Sequence, residues 1–128
     1  MALDATLEVH VREDGDDSAG DPANDERGRS LEFAFTVANG GSEAVDLRFP
    51  DACRAEFVVS DGDSELWRST QGRVFAQVLT TASLPPGEAL TIEDEWSDPS
   101  LEPGTYDVVA KLRARENETR DEATVTVA

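Results

Sequence analysis

Apolar and polar residues alternate with a period of two along most of this chain, and this alternation limits the fold more than any other feature. From Leu3 to Val11 every second residue is apolar, and the residues between them, from Asp4 to Arg12, are nearly all polar. Successive side chains of a strand point to opposite faces of a sheet, so the pattern predicts a β-strand with one buried face. The same pattern returns at residues 31–37 and 106–114.

Shorter segments of the same kind separate and follow these three. They lie at residues 45–49, 55–59, 65–67, 74–80, 88–95 and 123–127. Turn-forming residues stand between segments, and no segment longer than a turn or two has a helical apolar stripe. We therefore predict an all-β fold, an antiparallel immunoglobulin-like β-sandwich of eight or nine strands. The strands on either side of Asn39-Gly40-Gly41 form either a hairpin or a corner between two sheets.

The length of 128 residues indicates a single β-sandwich domain, residues 1–128, with an acidic flexible loop at residues 13–29 inside it. Residues 13–26 contain seven acidic residues and no basic one. Calcium is one candidate ligand for such a segment, since hard cations take several carboxylate oxygens. The EF-hand pattern is absent, because Ala19 and Asp25 occupy the positions of its glycine and its last glutamate. We expect a solvated loop, with no metal and no cofactor.

The charge balance is strongly acidic, with 28 Asp and Glu against 11 Lys and Arg and a formal net charge of −17. Nucleic acids are bound by cationic side chains, so this charge argues against a nucleic-acid partner and against anionic membranes. The chain has no export signal and no apolar run of membrane-spanning length, which predicts a soluble cytoplasmic protein. Self-repulsion of this size is screened at molar salt, as in the cytoplasm of an extreme halophile.

Few residues offer catalytic chemistry. The one histidine, His10, falls on the polar face of the first predicted strand, and the one cysteine, Cys53, is expected to be a small buried residue. A nucleophile, a base and an orienting group within hydrogen-bond reach are not evident, so we expect no enzyme activity. Asn117-Glu118-Thr119 is a formal glycosylation sequon that we interpret as turn chemistry.

A set of aromatic and Pro-Gly positions points to a family. In order, they are Asn39, Leu47-x-Phe49, Trp67-Arg68, Phe75-x-Gln77, Pro86-Gly87-Glu88, Trp96 and Pro103-Gly104-x-Tyr106. Over roughly residues 30–115 the chain resembles the intracellular proteinase inhibitor family, the BsuPI-like domains, as an acidic member of haloarchaeal type. The resemblance implies an immunoglobulin-like domain that inhibits an intracellular subtilisin-like serine protease and catalyses nothing itself. We expect a monomer or a weak dimer.

One polar loop is the candidate partner-binding site. Inhibitors present an extended segment that pairs with the edges of a protease cleft while one or two side chains fill pockets. A loop with two arginines and two hydroxyls between aromatic residues suits that role, and it also suits an ordinary polar loop. Its residues are Trp67, Arg68, Ser69, Thr70, Gln71, Gly72 and Arg73.

A different class of function competes with inhibition. The domain could instead be a structural or adaptor module that binds another protein through an edge strand. Both tryptophans, Trp67 and Trp96, are expected in the core, although Trp67 could also present a face beside the loop. Tyr106 follows a Pro-Gly turn and is expected to fix a corner through a backbone hydrogen bond.

Overall fold

The computed structural model describes residues 3–13, 29–97, 101–115 and 119–127. These residues form nine β-strands and no helix. The strands are β1 (Leu3–Glu13), β2 (Arg29–Asn39), β3 (Val45–Phe49), β4 (Ala55–Asp61), β5 (Ser64–Arg68), β6 (Thr80–Leu84), β7 (Ala89–Ser97), β8 (Gly104–Leu112) and β9 (Arg120–Val127). No helix in these ranges is long and apolar enough to cross a membrane.

The strands form two larger sheets and one small one, and all their pairings are antiparallel. The three-stranded sheet has the order β1-β2-β7, the four-stranded sheet the order β5-β4-β8-β9, and β3 pairs with β6. An isolated bridge between Arg48 and Arg115 attaches β3 to the chain just after β8. The predicted all-β antiparallel architecture of eight or nine strands is thus confirmed.

The core lies between the inner faces of these sheets. Phe33 of β2 stacks on Phe57 of β4 with ring centroids 5.2 Å apart, so the three-stranded and four-stranded sheets are in direct contact. The alternation in sequence matches the alternation in burial, since Phe33, Phe35 and Val37 are buried and their neighbours are partly exposed. Exclusion of this apolar surface from water is the main stabilising contribution. The most deeply buried residues also include Leu31, Leu47, Phe49, Val59, Val108 and Ala110.

Asn39 fixes the turn after β2. Of the two alternatives for this turn, the structure shows a corner between sheets, because β2 pairs with β1 and β7 whereas β3 pairs with β6. The buried Asn39 Nδ2 donates to the carbonyls of Glu43 (2.7 Å) and Leu84 (2.8 Å). Its Oδ1 accepts the N–H of Gly41 at 2.9 Å. One buried side chain therefore satisfies two backbone groups of the turn and the carbonyl at the end of β6.

Three further expectations are confirmed. The hydroxyl of Tyr106 donates to the carbonyl of Glu102 at 2.5 Å, which is the predicted corner bond. Cys53 is a buried free cysteine, and burial raises the pKa of its thiol. His10 lies on the polar face of β1 with its side chain exposed.

The predicted strand at residues 74–80 is wrong. The chain has no regular structure from Arg73 to Leu79, and β6 begins only at Thr80. Alternation reports which face a side chain would occupy, but a strand also needs a neighbour for its backbone, and no described strand pairs with this segment. Two other predictions, the acidic loop and the sequon residue Asn117, lie largely outside the described residues.

Candidate functional site

Trp67 connects the candidate loop to the core. Its ring stacks on Phe33 at 5.5 Å and on Trp96 at 5.1 Å, with nearly parallel planes in both cases. Trp67 belongs to β5 of the four-stranded sheet, whereas Phe33 and Trp96 belong to the three-stranded sheet. Both tryptophans are half-buried and pack against the core. Because Trp67 is the first residue of the candidate loop, the loop starts from a fixed position.

Arg68 and Thr70 both bind a carboxylate on the neighbouring strand. Arg68 Nη1 lies 2.8 Å from Glu56 Oε1, Arg68 Nη2 lies 2.6 Å from Glu65 Oε1, and Thr70 Oγ1 donates to Glu56 Oε2 at 2.8 Å. Burial raises the pKa of Glu56, but the hydrogen bonds from Thr70 and Arg68 outweigh it and leave that pKa lowered. The bonds from Glu65 and Glu56 raise the pKa of Arg68, so its charge is permanent.

Ser69, the next residue of the loop, is hydrogen-bonded to β4. Its side chain is buried, and its Oγ accepts the N–H of Phe57 at 2.9 Å. The N–H of Ser69 in turn donates to the carbonyl of Phe57 at 2.8 Å. The serine thus continues the pairing of β5 with β4 beyond the end of the strand, and a buried backbone donor of β4 depends on it.

A tight turn forms the exposed tip of the loop. The N–H of Gln71 donates to the carbonyl of Arg68 at 3.0 Å, and Gly72 has φ +74°, a conformation that other residues rarely adopt. Gln71 and Gly72 are both exposed. Arg73 closes the turn, since its Nη1 donates to the carbonyl of Ser69 at 3.0 Å and to Asp94 Oδ2 at 2.9 Å.

The structure therefore divides the predicted site residues into two groups. The side chains of five residues contact other parts of the molecule and order the loop; they are Trp67, Arg68, Ser69, Thr70 and Arg73. Gln71 and Gly72 form the tip that faces solvent. The loop is therefore ordered by its own side chains and exposes one glutamine at its tip.

Sequence reasoning missed the segment that follows the loop. Here Val74 is 99% exposed, Leu79 69% and Val78 54%, which is unusual for large apolar side chains grouped in one segment. A signal was present in the sequence, because no Asp or Glu occurs from Leu66 to Gly87 in a chain that is otherwise rich in both. We call residues 74–79 the apolar segment.

Two contacts hold the first half of the apolar segment, at Phe75 and Ala76. The guanidinium of Arg73 lies over the ring of Phe75 at 5.2 Å from the centroid, a cation–π contact. The N–H of Ala52 donates to the carbonyl of Ala76 at 2.9 Å. The first contact joins the two neighbours of Val74, and the second lies two residues after it. In the part of the chain that the structure describes, no group of three or more His, Cys, Asp or Glu residues could hold a metal ion.

The fold and the site define a small all-β domain whose distinctive surface is an ordered, exposed loop, an arrangement typical of domains that act by binding. The model of the intracellular proteinase inhibitor family, BsuPI, matches residues 19–117, and the chain belongs to this family. The resemblance drawn from its aromatic and Pro-Gly positions is confirmed. The family consists of inhibitors, so the expectation that the chain is not an enzyme is confirmed too. The family is described as intracellular, and its name implies a protease partner in general.

Solved structures share the fold at low sequence identity. The putative ApaA protein from Bordetella pertussis has 16% identity and a TM-score of 0.51, with 96% of this chain and 93% of that chain covered. A structural-genomics target has 12% identity and a TM-score of 0.50, with 98% and 87% covered. At these identities the likeness shows the fold alone. No curated protein matches the sequence.

Proposed function

We propose that this protein inhibits an intracellular subtilisin-like serine protease by occupying its cleft, without chemistry of its own. The observation that carries the proposal is the family match, because residues 19–117 include the whole candidate loop. We further propose that the protein is a single immunoglobulin-like domain that works as a monomer or weak dimer in a salt-rich cytoplasm. The facing sheets and the tyrosine corner support the immunoglobulin-like description, and the net charge of −17 supports the salt-rich setting.

The order of the loop at residues 67–73 supports its role as the contact site. Binding costs conformational entropy for each loop and side chain that must be fixed, and preorganisation reduces that cost. Here Arg68 and Arg73 are held by carboxylates, and Ser69 by the backbone of β4. The exposed tip therefore enters a complex in a conformation that the free protein already has.

A second candidate function rests on the free edge of β7. Among the described residues β7 pairs with β2 on one side and with no strand on the other. An extended segment of another protein could add to this edge, which would make the domain an adaptor rather than an inhibitor. Glu93 and Glu95 are exposed on this strand, so at low salt their charge disfavours a second copy of the same acidic chain there.

Titration of a purified intracellular subtilisin-like protease in high salt tests the proposed function. We expect stoichiometric loss of protease activity with the wild-type protein. A variant with Arg68→Ala and Arg73→Ala, which removes the anchors of the loop, should lose most of the inhibition. Arg120→Ala is the matched control, because Arg120 is exposed on β9 and pairs only locally with Glu122 at 2.5 Å. If the protease keeps its full activity in the presence of excess wild-type protein, the adaptor function is favoured.

A further inference from the structure

Val74 is the most exposed large apolar side chain among the described residues, and it directly follows the anchored turn. We infer that Val74 is the side chain that enters the specificity pocket of the target protease, and that this pocket accepts a small aliphatic side chain. This inference rests on the proposed function and adds to it the residue that makes the central contact and the chemistry of the pocket. The predicted loop at residues 67–73 then serves mainly as the support.

The exposure of Val74 is unfavourable in the free protein. Burial of apolar area is the main favourable contribution to most protein associations, and the largest contributions come from side chains that fill a desolvated pocket at the centre of the interface. With 99% of its surface exposed, Val74 can transfer nearly all of that area into a partner. Val78 and Leu79, four and five residues further along, are exposed as well.

The residues on both sides of Val74 are held. Before it, Arg73 is fixed by Asp94 and by the carbonyl of Ser69. After it, Phe75 lies under the guanidinium of Arg73 and Ala76 accepts a hydrogen bond from Ala52. A fully exposed side chain between two anchored neighbours projects from a rigid backbone, which lowers the entropic cost of inserting it into a pocket.

The backbone around Val74 is also available for pairing. Within the described residues, Ala76 is the residue of the apolar segment whose backbone bonds to backbone elsewhere, through its carbonyl. Extended chains bind protease clefts by adding a strand to the edge of the cleft. The alternation of Val74, Ala76 and Val78, which misled the prediction of a strand, is the pattern that such an added strand needs.

The charge of the sequence around Val74 indicates that the protease pocket is apolar and loses its water on binding. No acidic residue occurs from Leu66 to Gly87, although the chain carries 28 of them. The stretch itself therefore adds no unpaired carboxylate to the surface that must lose water, and the neighbouring Asp94 is already paired with Arg73. A cationic pocket would select an acidic side chain, and residues 66–87 contain none.

The test compares Val74→Asp with Leu66→Asp in the same protease titration in high salt. Leu66 is a matched control, since it is 42% exposed, lies on β5 and belongs to the same acid-free stretch. We expect Val74→Asp to weaken inhibition by about 30-fold or more, as is typical for a central contact. Leu66→Asp should stay within about threefold of wild type, because peripheral contacts contribute little. Val74→Ile should weaken inhibition by about tenfold, less than Val74→Asp does, because one added methylene is a small change in an apolar pocket.

The outcomes separate the inference from the proposed function. If the wild-type protein inhibits and Val74→Asp inhibits equally well, the inference is wrong and the proposed function stands. If the wild type does not inhibit, both are overturned. Thermal melts in the same buffer check the fold. Val74 has almost no contact to lose, so we expect Val74→Asp to melt at a temperature close to that of wild type. If Val74→Asp were instead unfolded under the assay conditions, the loss of inhibition would come from unfolding and the assigned role would be contradicted.

Discussion

The indole rings of Trp67 and Trp96 stack with their centroids 5.1 Å apart and their planes 6° from parallel. The pair joins β5 of one sheet to β7 of the other, and Trp67 continues the stack inward to Phe33. A second contact lies nearby, because Arg73, in the loop that follows β5, binds Asp94 of β7. The position of the loop is therefore defined by contacts across the sandwich rather than by the loop alone.

A double-mutant cycle measures this stacking. We expect Trp67→Leu and Trp96→Leu each to lower the free energy of unfolding, and the double variant to lose about 1 kcal/mol less than the sum of the two, because stacked aromatic pairs contribute about 0.5–1.5 kcal/mol beyond burial. Denaturant unfolding at constant high salt gives all four values. Strict additivity would show that the rings are merely neighbours.

Ser69→Ala should lower the free energy of unfolding by about 1–3 kcal/mol, because it leaves the buried N–H of Phe57 without its acceptor. Ser83→Ala on β6 is the matched control, since Ser83 is exposed, and we expect a change within about 0.5 kcal/mol. Chemical denaturation compares the two variants. Equal small effects would mean that the Ser69 hydroxyl adds nothing to the loop.

Glu56→Gln should show a pH-dependent loss of stability. The pKa of Glu56 is lowered in the folded state, so its ionised form stabilises the protein above the ordinary pKa of about 4.3, and that stability disappears as the pH falls through the lower folded value. We expect wild type to exceed Glu56→Gln by about 1–3 kcal/mol at pH 7. The difference should shrink below about pH 4.

Unfolding titrations at pH 7 and at about pH 3.5 check this. Thr70→Val provides a companion measurement, because it removes one of the two hydrogen-bonding partners of Glu56 while leaving Arg68 in place. It should reproduce part of the loss at neutral pH. A gap between wild type and Glu56→Gln that stays constant with pH would argue against the ion pair as its cause.

Tyr106→Phe should cost about 1 kcal/mol, since it removes one hydroxyl, and with it the bond to the carbonyl of Glu102, while keeping the ring in the core. Thermal or denaturant unfolding measures the difference. An unchanged stability would show that water replaces the hydroxyl at that carbonyl without penalty.

The melting temperature should rise steeply with salt, from about 0.1 M to several molar, because the Debye length falls from about 10 Å to 3 Å or less and screens the repulsion within a chain of net charge −17. Differential scanning calorimetry over a potassium chloride series measures this. A flat profile would remove the physical basis for assigning a salt-rich setting.

Sequence alternation predicted the faces of the strands well. In β2 the large residues Phe33 and Phe35 stand between smaller or polar ones, and one buried face is the simplest structure that accommodates them. The Tyr106 corner was also predictable, because a Pro-Gly turn and a following tyrosine are close together in sequence. Local patterns succeed where local spacing decides the structure.

The candidate site could be predicted only in part, because its contacts are non-local. The sequence does not show which carboxylate pairs with Arg68, because one partner, Glu56, lies twelve residues earlier on another strand. Val74 continues an alternating pattern and reads as a strand residue, but no described strand pairs with it. A one-dimensional pattern does not contain the distance between two strands, and that distance decides which side chains stay available for a partner.

On one side of the molecule, the edge strands β1 and β9 of the two larger sheets contact each other. The N–H of Leu7 on β1 donates to the Asp121 carboxylate on β9 at 2.9 Å, so these two edge strands meet along one side of the molecule. Exposed edges are usually protected by like charges, which lose their reach when salt shortens the Debye length to about 3 Å. A carboxylate that takes the place of a neighbouring strand's carbonyl acts at contact distance instead. The hydrogen bond between Leu7 and Asp121 is therefore weakened less by added salt than repulsion between separated like charges would be.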